Sequence, residues 1–225
     1  MLNTVKNKLI VSCQALENEP LHSPFIMAKM ALAAAQGGAA GIRANSVVDI
    51  LAIKEAVNLP VVGIIKRDYP DSAVFITATT KEIDELATTE CEMIALDATS
   101  RKRPNGQTLA ELVTYAKATY PHKLLMADVA TVEDVIVANQ LGFDCVSSTL
   151  IGYTAESKQD EVAANDFAIL KEMLDISHLP LIAEGNIDTP QKAQRVLTLG
   201  VHSVVVGSAI TRPQLITEKF VNALP

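Results

Sequence analysis

The chain places charged side chains directly after short apolar runs, and Lys66 is the clearest case. It ends the run Val61–Lys66, VVGIIK, whose β-branched residues predict a buried strand. An amine at such a place can attack a carbonyl group, or it can move a proton at the carbon next to one. Both reactions need some unprotonated amine near neutral pH. Burial and nearby cations, such as Arg43 or Arg67, would lower the Lys66 pKa and supply it.

Glu184 offers a second chemical group, because it ends the apolar run Leu181–Glu184. A direct pair between the two side chains would raise the Lys66 pKa. A proton-transfer role tolerates such a partner better than a nucleophilic role does, because the carboxylate can orient the amine and stabilise the ammonium. The two residues therefore favour proton transfer, and a Schiff-base aldolase or lyase is the alternative.

Other apolar runs also end in polar groups, which predicts one shared site. Taken singly, such residues are usually solvated loop residues, turn residues or helix caps. If the strands are parallel, however, their carboxyl ends meet on one face, and these residues converge there. They are Gln14, Arg43, Asp97, Asp128, Ser147, Ser148, Gly207 and Ser208.

Two glycine motifs on successive strands predict an anion site. Gly185 and Asn186 follow one strand, Gly207 and Ser208 follow the next, and Arg212 comes shortly after. Glycine lets backbone amides approach a ligand closely, and a helix N-terminus favours negative charge. Arginine adds a charge-assisted donor. We therefore predict a phosphate-binding site, with tight turns as the alternative role of the glycines.

The elements that must position these groups are strands and helices in alternation. Eight apolar runs alternate with segments of helical periodicity, a pattern typical of a parallel sheet covered by helices. Eight such units predict a closed (β/α)₈ TIM barrel, an α/β fold, as a single domain over residues 1–225. An open doubly wound sheet is the alternative, although no GxGxxG follows the first strand. The predicted helices are 28–36, 47–57, 81–88, 108–118, 132–141, 166–174, 190–199 and 213–224.

Composition narrows the function class. A formal net charge of −7 argues against a broad nucleic-acid surface, and no apolar run reaches the roughly 20 residues of a membrane span. The three cysteines have no CxxC spacing, which predicts reduced packing residues, and the N-terminal segment is too polar for a secretion signal. We therefore predict a cytoplasmic protein. No histidine spacing suggests a metal site, and no GxSxG motif suggests a serine nucleophile.

Eight segments of the chain resemble the bacterial N-acetylmannosamine-6-phosphate 2-epimerases. They are VSCQA, AAGIRAN, VVGIIKRDYPDS, EMIALDATSRKRPNG, LLMADVAT, STLIGYT, LIAEGNI and SVVVGSAITRP. The resemblance covers residues from about 8 to 215. It implies a reversible inversion at C2 that interconverts N-acetylmannosamine 6-phosphate and N-acetylglucosamine 6-phosphate, as in sialic-acid and amino-sugar catabolism.

The resemblance also implies roles for individual residues. Lys66 would act as acid and base, and Glu184 as the second catalytic group. The sugar would contact Gln14, Arg43, Asp128 and Tyr153, and the phosphate would lie at Gly185, Gly207, Ser208 and Arg212. No metal or organic cofactor is implied. The expected partner is the phosphosugar alone, with neither nucleic acid nor membrane, and we expect a homodimer because barrels of this size often pair through apolar helix faces. A non-catalytic phosphosugar sensor is a further alternative.

Overall fold

The computed structural model describes all 225 residues, and its centre is a closed barrel of eight parallel strands. Each apolar run predicted as a strand forms one, in chain order, and the first strand pairs with both the second and the last. The predicted (β/α)₈ barrel is therefore confirmed and the open sheet is excluded. The strands are β1 (Leu9–Cys13), β2 (Gly41–Asn45), β3 (Val61–Ile64), β4 (Met93–Asp97), β5 (Leu124–Asp128), β6 (Cys145–Ser147), β7 (Leu181–Ala183) and β8 (Ser203–Val206).

Ten helices surround or close the barrel, and eight of them are the predicted ones. Helix α2 begins at Pro24, earlier than predicted, because proline is favourable in a first helical turn. The four-residue helices α1 and α9 were not predicted. The helices are α1 (Leu2–Val5), α2 (Pro24–Gln36), α3 (Val47–Ala56), α4 (Thr80–Ala87), α5 (Leu109–Thr119), α6 (Val132–Leu141), α7 (Ala164–Ile176), α8 (Pro190–Leu199), α9 (Ser208–Thr211) and α10 (Pro213–Val221).

Side-chain alternation along the strands sets which residues fill the barrel. One buried cluster inside it includes Ile10, Val62, Met93, Met126, Cys145, Ile182 and Val205, and the opposite strand faces pack against the helices. Because side chains on a strand alternate with a period of two, the next inward-facing positions toward the carboxyl ends of these strands can be read from the sequence, and they hold polar residues or glycine. Those positions are Ser12, Lys66, Asp128, Ser147, Glu184 and Gly207.

Several helices begin at the carboxyl-terminal face of the barrel, and side-chain caps bond their first backbone amides. Ser46, which precedes α3, accepts a hydrogen bond from the Asp49 amide at 3.2 Å. Three further helices begin with reciprocal capping boxes, in which the cap side chain and the third helical residue bond each other's amides. These boxes are Thr79 with Glu82, Thr108 with Glu111, and Thr131 with Asp134.

Two long connections overlie the barrel mouth. Residues 67–78 lie in the β3–α4 connection, which folds back on itself through an antiparallel bridge between Lys66 and Ile76. The β6–α7 connection, residues 148–163, is slightly longer. Both connections supply residues to the cavity described below. No helix has the length and apolar character needed to cross a membrane.

Candidate active site

A cavity of about 530 Å³ opens at the carboxyl ends of the strands. Nine of the eleven predicted site residues line it: Gln14, Lys66, Tyr153, Glu184, Gly185, Asn186, Gly207, Ser208 and Arg212. The other two, Arg43 and Asp128, lie buried beneath its floor. The barrel thus brings the chemically active side chains and the glycine motifs to one enclosed space.

Lys66 lies two residues beyond the end of β3. Its backbone amide donates to the Asn45 side chain at 2.8 Å, which fixes the chain where it leaves the barrel. Its ammonium forms no direct ion pair. Burial, followed by the charges of Arg43 and Arg212, lowers the Lys66 pKa to about 8, although Glu184 acts in the opposite direction. A side chain in this environment holds a useful fraction of neutral amine near physiological pH.

The expectation that Arg67 would be a cation next to Lys66 is wrong. Arg67 points out of the barrel and pairs with Glu82 and Glu85 on α4. Arg212, which reaches the cavity from the end of α9, is the second cation that acts on the amine. The sequence neighbours Lys66 and Arg67 lie on opposite sides of the chain because consecutive side chains of an extended segment alternate.

Arg43 and Asp128 form a buried ion pair under the cavity. The guanidinium donates twice, at 3.1 Å and 2.6 Å, to the two Asp128 oxygens. A third contact joins Arg43 Nη1 to Glu184 Oε2 at 3.3 Å. Both members of the pair are almost completely buried, at 1% and 0% exposed. One arginine therefore links two carboxylates, and a buried charge in such a network is compensated.

Glu184 stands between this buried pair and the open cavity. Its side chain is 15% exposed, and burial raises the pKa of its carboxyl, while the Arg43 charge opposes that effect. Ser148, the residue after β6, holds the Glu184 backbone through two hydrogen bonds. Its hydroxyl donates to the Glu184 carbonyl at 2.7 Å and accepts from the Glu184 amide at 2.9 Å. The carboxyl is thus fixed in place before any ligand binds.

The two glycine motifs follow the neighbouring strands β7 and β8, and both line the cavity. Gly185 has φ +103°, a left-handed conformation that favours glycine, and Asn186 follows with φ +52°. A Cβ on Gly207 would lie 3.3 Å from the Ser12 Cβ, a tight contact that leaves little room for a side chain there. Backbone groups are therefore accessible where side chains would otherwise cover them.

Arg212, the single residue between α9 and α10, lines the cavity near the second glycine motif. Its Nη1 donates to the Ser208 hydroxyl at 3.1 Å. Its Nε and Nη2 face the Glu19 carboxylate at 2.7 Å and 3.0 Å. A guanidinium next to exposed backbone groups and a hydroxyl can bind an anion, provided that the anion shares Arg212 with Glu19 or displaces Glu19.

Gln14 and Tyr153 complete the predicted set. Gln14 donates from Nε2 to the Ser12 hydroxyl at 2.8 Å, and its buried Oε1 has no partner. That oxygen is available to accept a hydrogen bond from a ligand. Tyr153 is 59% exposed and stands at the rim of the cavity. Asp97, which also ends a strand, does not line the cavity and pairs instead with Arg101.

Several polar residues of the site were not predicted from the sequence, and two of them, Thr149 and Glu19, contact predicted residues. Thr149 lines the cavity and contacts both Asp128 and Glu184, at 2.8 Å and 3.0 Å. It continues the inward alternation of Cys145 and Ser147, so the period of β6 could have revealed it. Glu19 carried no such signal, since it lies in the irregular β1–α2 connection and meets Arg212 only in the folded chain.

Comparisons with known proteins identify the family. A family model described as "Putative N-acetylmannosamine-6-phosphate epimerase" matches residues 27–225. The chain belongs to this family. A protein of Enterobacter sp. (strain 638) is 64% identical over 224 residues, which are 100% of this chain and 95% of the relative. A protein of Oceanobacillus iheyensis is 60% identical over 221 residues, 98% of this chain and 100% of the relative. Both are described as "Putative N-acetylmannosamine-6-phosphate 2-epimerase".

Solved structures agree with this assignment. The N-acetylmannosamine-6-phosphate 2-epimerase from Clostridium perfringens superposes with a TM-score of 0.95 at 56% identity, covering 100% of this chain and 96% of that one. The thiamine phosphate pyrophosphorylase from Pyrococcus furiosus, 16% identical over 96% of this chain and 98% of its own, has a TM-score of 0.61 and shares the fold alone. The family resemblance predicted from the sequence is confirmed.

Proposed function

We propose that this chain is an N-acetylmannosamine-6-phosphate 2-epimerase, which interconverts N-acetylmannosamine 6-phosphate and N-acetylglucosamine 6-phosphate. One observation carries the proposal. The Lys66 amine, with its lowered pKa, and the Glu184 carboxyl face one cavity whose far end exposes the Gly185 and Gly207 backbone beside Arg212. Such a cavity suits a ligand with a reacting carbon at one end and a phosphate at the other. The close relatives carry the same activity in their descriptions.

The chemistry of the substrate requires a base of this kind. The hydrogen at C2 is acidic only when C1 is a carbonyl, so the reacting form is the open-chain aldehyde. Lys66 removes that hydrogen, hydrogen-bond donors stabilise the enolate, and a proton returns to the opposite face of C2. Glu184 either orients the amine or returns this proton. The phosphate, held away from the reacting carbon, supplies binding energy that fixes the position of C2.

Several residues are proposed to hold the substrate. The Gln14 Oε1 is a free acceptor that suits a hydroxyl or amide hydrogen of the sugar. Tyr153 would cover the sugar from the rim, and Arg43 with Asp128 would act from beneath the floor. At the phosphate end the donors are Arg212, the Ser208 hydroxyl, and the amides near Gly185, Asn186 and Gly207. No metal or cofactor is required by this scheme, because an aldehyde already acidifies its neighbouring carbon.

Proton NMR in heavy water tests substrate and mechanism together. With N-acetylmannosamine 6-phosphate and enzyme in D₂O, we expect N-acetylglucosamine 6-phosphate to form and the C2 proton signal to disappear. Lys66→Ala and Glu184→Ala should lose turnover while they keep wild-type circular dichroism spectra. Product formed with its C2 proton intact would reject the deprotonation mechanism, and no conversion by the wild type would reject the activity.

The Schiff-base alternative rests on the same amine, because a lysine with a lowered pKa is also a nucleophile. Borohydride added with the substrate distinguishes the two reactions. We expect the protein mass to stay unchanged after this treatment, since epimerisation forms no covalent bond to Lys66. A mass increase that is absent from Lys66→Ala would favour a lyase.

We also infer that the chain forms a homodimer. Helix α10 has no fully buried residue, and Phe220 and Leu224 near its end are 73% and 71% exposed. Neighbouring exposed apolar side chains favour a protein interface. Light scattering after size exclusion should give twice the mass of one chain, and Phe220→Glu combined with Leu224→Glu should reduce it. A wild-type mass of one chain would contradict the inference.

We further propose that the protein is cytoplasmic. Cys13, Cys91 and Cys145 are all buried and unpaired, as is usual for proteins of a reducing compartment. Fractionation of cells that express the full chain checks this, and recovery in a secreted fraction would contradict it.

A further inference from the structure

Thr149 contacts more oxygen atoms than it has hydrogens to share. Its Oγ1 lies 2.8 Å from Ser147 Oγ, 2.8 Å from Asp128 Oδ1 and 3.0 Å from Glu184 Oε2. A hydroxyl has one hydrogen and two lone pairs, so it donates once and accepts twice. Ser147 can donate its own hydrogen to Thr149. Of the two carboxyl contacts, one takes the Thr149 hydrogen and the other needs a hydrogen from the carboxyl itself.

The structure distinguishes the two carboxyls. Both oxygens of Asp128 accept from Arg43, at 3.1 Å and 2.6 Å, and Asp128 is completely buried, so only the ionised form satisfies these donors. Glu184 receives one longer contact from Arg43, at 3.3 Å, and its Oε1 has no hydrogen-bond partner. Asp128 is therefore the acceptor of the Thr149 hydrogen. Glu184 is the group that supplies a hydrogen to Thr149 in return.

We propose that Thr149 is a positioning residue that holds Glu184 in its neutral, protonated form in the resting enzyme. In this arrangement Glu184 donates a hydrogen bond to Thr149, and Thr149 donates one to Asp128. Ser147 donates the second hydrogen bond that the Thr149 hydroxyl accepts. Its catalytic meaning rests on the proposed function, in which Lys66 is the base. A neutral Glu184 leaves Glu19 as the only carboxylate that raises the Lys66 pKa, and it gives the site a proton donor in addition to its base.

The charges around Glu184 agree with this arrangement. Arg43 on β2 favours the ionised form, but its charge is largely matched by Asp128 on β5, which favours the neutral form. Lys66, after β3, also favours ionisation. Burial is the largest effect, and the Glu184 pKa is raised overall. An ionised Glu184 would raise the Lys66 pKa, so the neutral form also keeps Lys66 reactive.

The variant Thr149→Ala tests the hydrogen count, with Thr149→Ser as its matched control. Because Thr149 lines the open cavity, water can enter the space left by alanine. A water molecule has two hydrogens and can donate to both carboxyls, so Glu184 can ionise more easily. Serine keeps a single hydroxyl hydrogen and should behave as the wild type does.

Carbon-13 NMR of enzyme labelled at the glutamate carboxyl carbons reads the protonation state directly. Glu184→Gln assigns the signal by its disappearance. We expect the wild type and Thr149→Ser to show a neutral Glu184 at pH 7 and Thr149→Ala to titrate at lower pH. An ionised wild-type signal at that pH, or equal titrations in all three proteins, would overturn the proposal. This readout needs no turnover, so it stands if the proposed reaction is wrong.

The pH profile of kcat/KM gives a second readout. An ionised Glu184 would move the Lys66 limb of Thr149→Ala to higher pH, and kcat at pH 7 would fall about tenfold for a rise of about one pH unit in that limb. Thr149→Ser should restore both. If alanine lowers kcat and leaves the limb in place, Thr149 serves packing alone and the proposal fails.

Discussion

Glu19 and Arg212 form a two-point ion pair at the edge of the cavity. The Arg212 Nε lies 2.7 Å from Glu19 Oε1, and its Nη2 donates to Glu19 Oε2 at 3.0 Å. Gln214 adds a donor to the same carboxylate at 3.1 Å. Nη2 is therefore already bonded to Glu19, whereas Nε lies close to the same carboxylate without a hydrogen bond. A bound phosphate must share Arg212 with Glu19 or displace it.

Glu19→Gln should lower KM for the phosphosugar, because it removes the negative charge that competes for Arg212. We expect a change of about two- to fivefold, the range of one partly exposed charge pair. Glu17→Gln is the matched control, since it changes the same charge on an exposed side chain of the same connection. Steady-state kinetics at constant ionic strength check the comparison. A higher KM in Glu19→Gln would show that Glu19 orients Arg212 and does not compete with the substrate.

The activity should rise with pH through the titration of Lys66. The Lys66 pKa of about 8 means that the ammonium dominates below this value and the amine above it. If the amine is the base, kcat/KM increases about tenfold per pH unit well below the limb and levels off above it. The second phosphate pKa of the substrate, about 6, lies low enough to be told apart. A flat profile across the limb would exclude Lys66 as the base.

Lys66→Met should stabilise the protein while it abolishes turnover. The Lys66 pKa is about 8 in the folded chain and has an ordinary value of 10.5. Between these values the unfolded chain binds more protons, so wild-type stability rises with pH, and below them the folded chain carries the full cost of a desolvated ammonium. Methionine removes that cost. The gain in Tm should be largest below pH 8 and shrink toward pH 10.

Calorimetry across this pH range measures the difference, with Lys81→Met on the exposed face of α4 as the control. The control should show no comparable dependence of its Tm difference on pH. Equal stability of Lys66→Met and the wild type at pH 7 would show that the amine is solvated well enough to carry its charge without cost.

Thr108→Ala should destabilise the barrel without changing its chemistry. Thr108 caps α5 and accepts from the Glu111 amide at 3.2 Å. Loss of such a cap costs about 1 kcal/mol, or about 2–4 °C in Tm for a chain of this size. Thr114→Ala in the exposed middle of the same helix makes the same chemical change and should leave Tm equal or slightly higher, since alanine has the better helix propensity. A similar loss of Tm in both variants would mean that the cap contributes nothing.

The sequence predicts the barrel well because its pattern is local. Each strand is a short apolar run, each helix has its own cap or period, and the cavity-facing Lys66 and Glu184 follow from the strand ends. Small deviations occur at helix starts, as at Pro24, where end effects rather than periodicity decide the boundary.

Contacts between segments that are distant in the chain could not be predicted from the sequence pattern. The opposite directions of Lys66 and Arg67, and the pairing of Glu19 with Arg212, depend on where connections cross the barrel mouth. Thr149 shows an intermediate case: its inward position follows from strand period, but its two carboxyl contacts depend on β5 and β7.

The grip of Ser148 on the Glu184 backbone has a consequence for how this enzyme could diversify. The position of Glu184, after β7, is fixed by the residue that follows the neighbouring strand β6, because the Ser148 hydroxyl bonds both its amide and its carbonyl. Sequence drift or insertion in the stretch after Glu184 can then reshape what the pocket admits and leave the reactive carboxyl undisturbed.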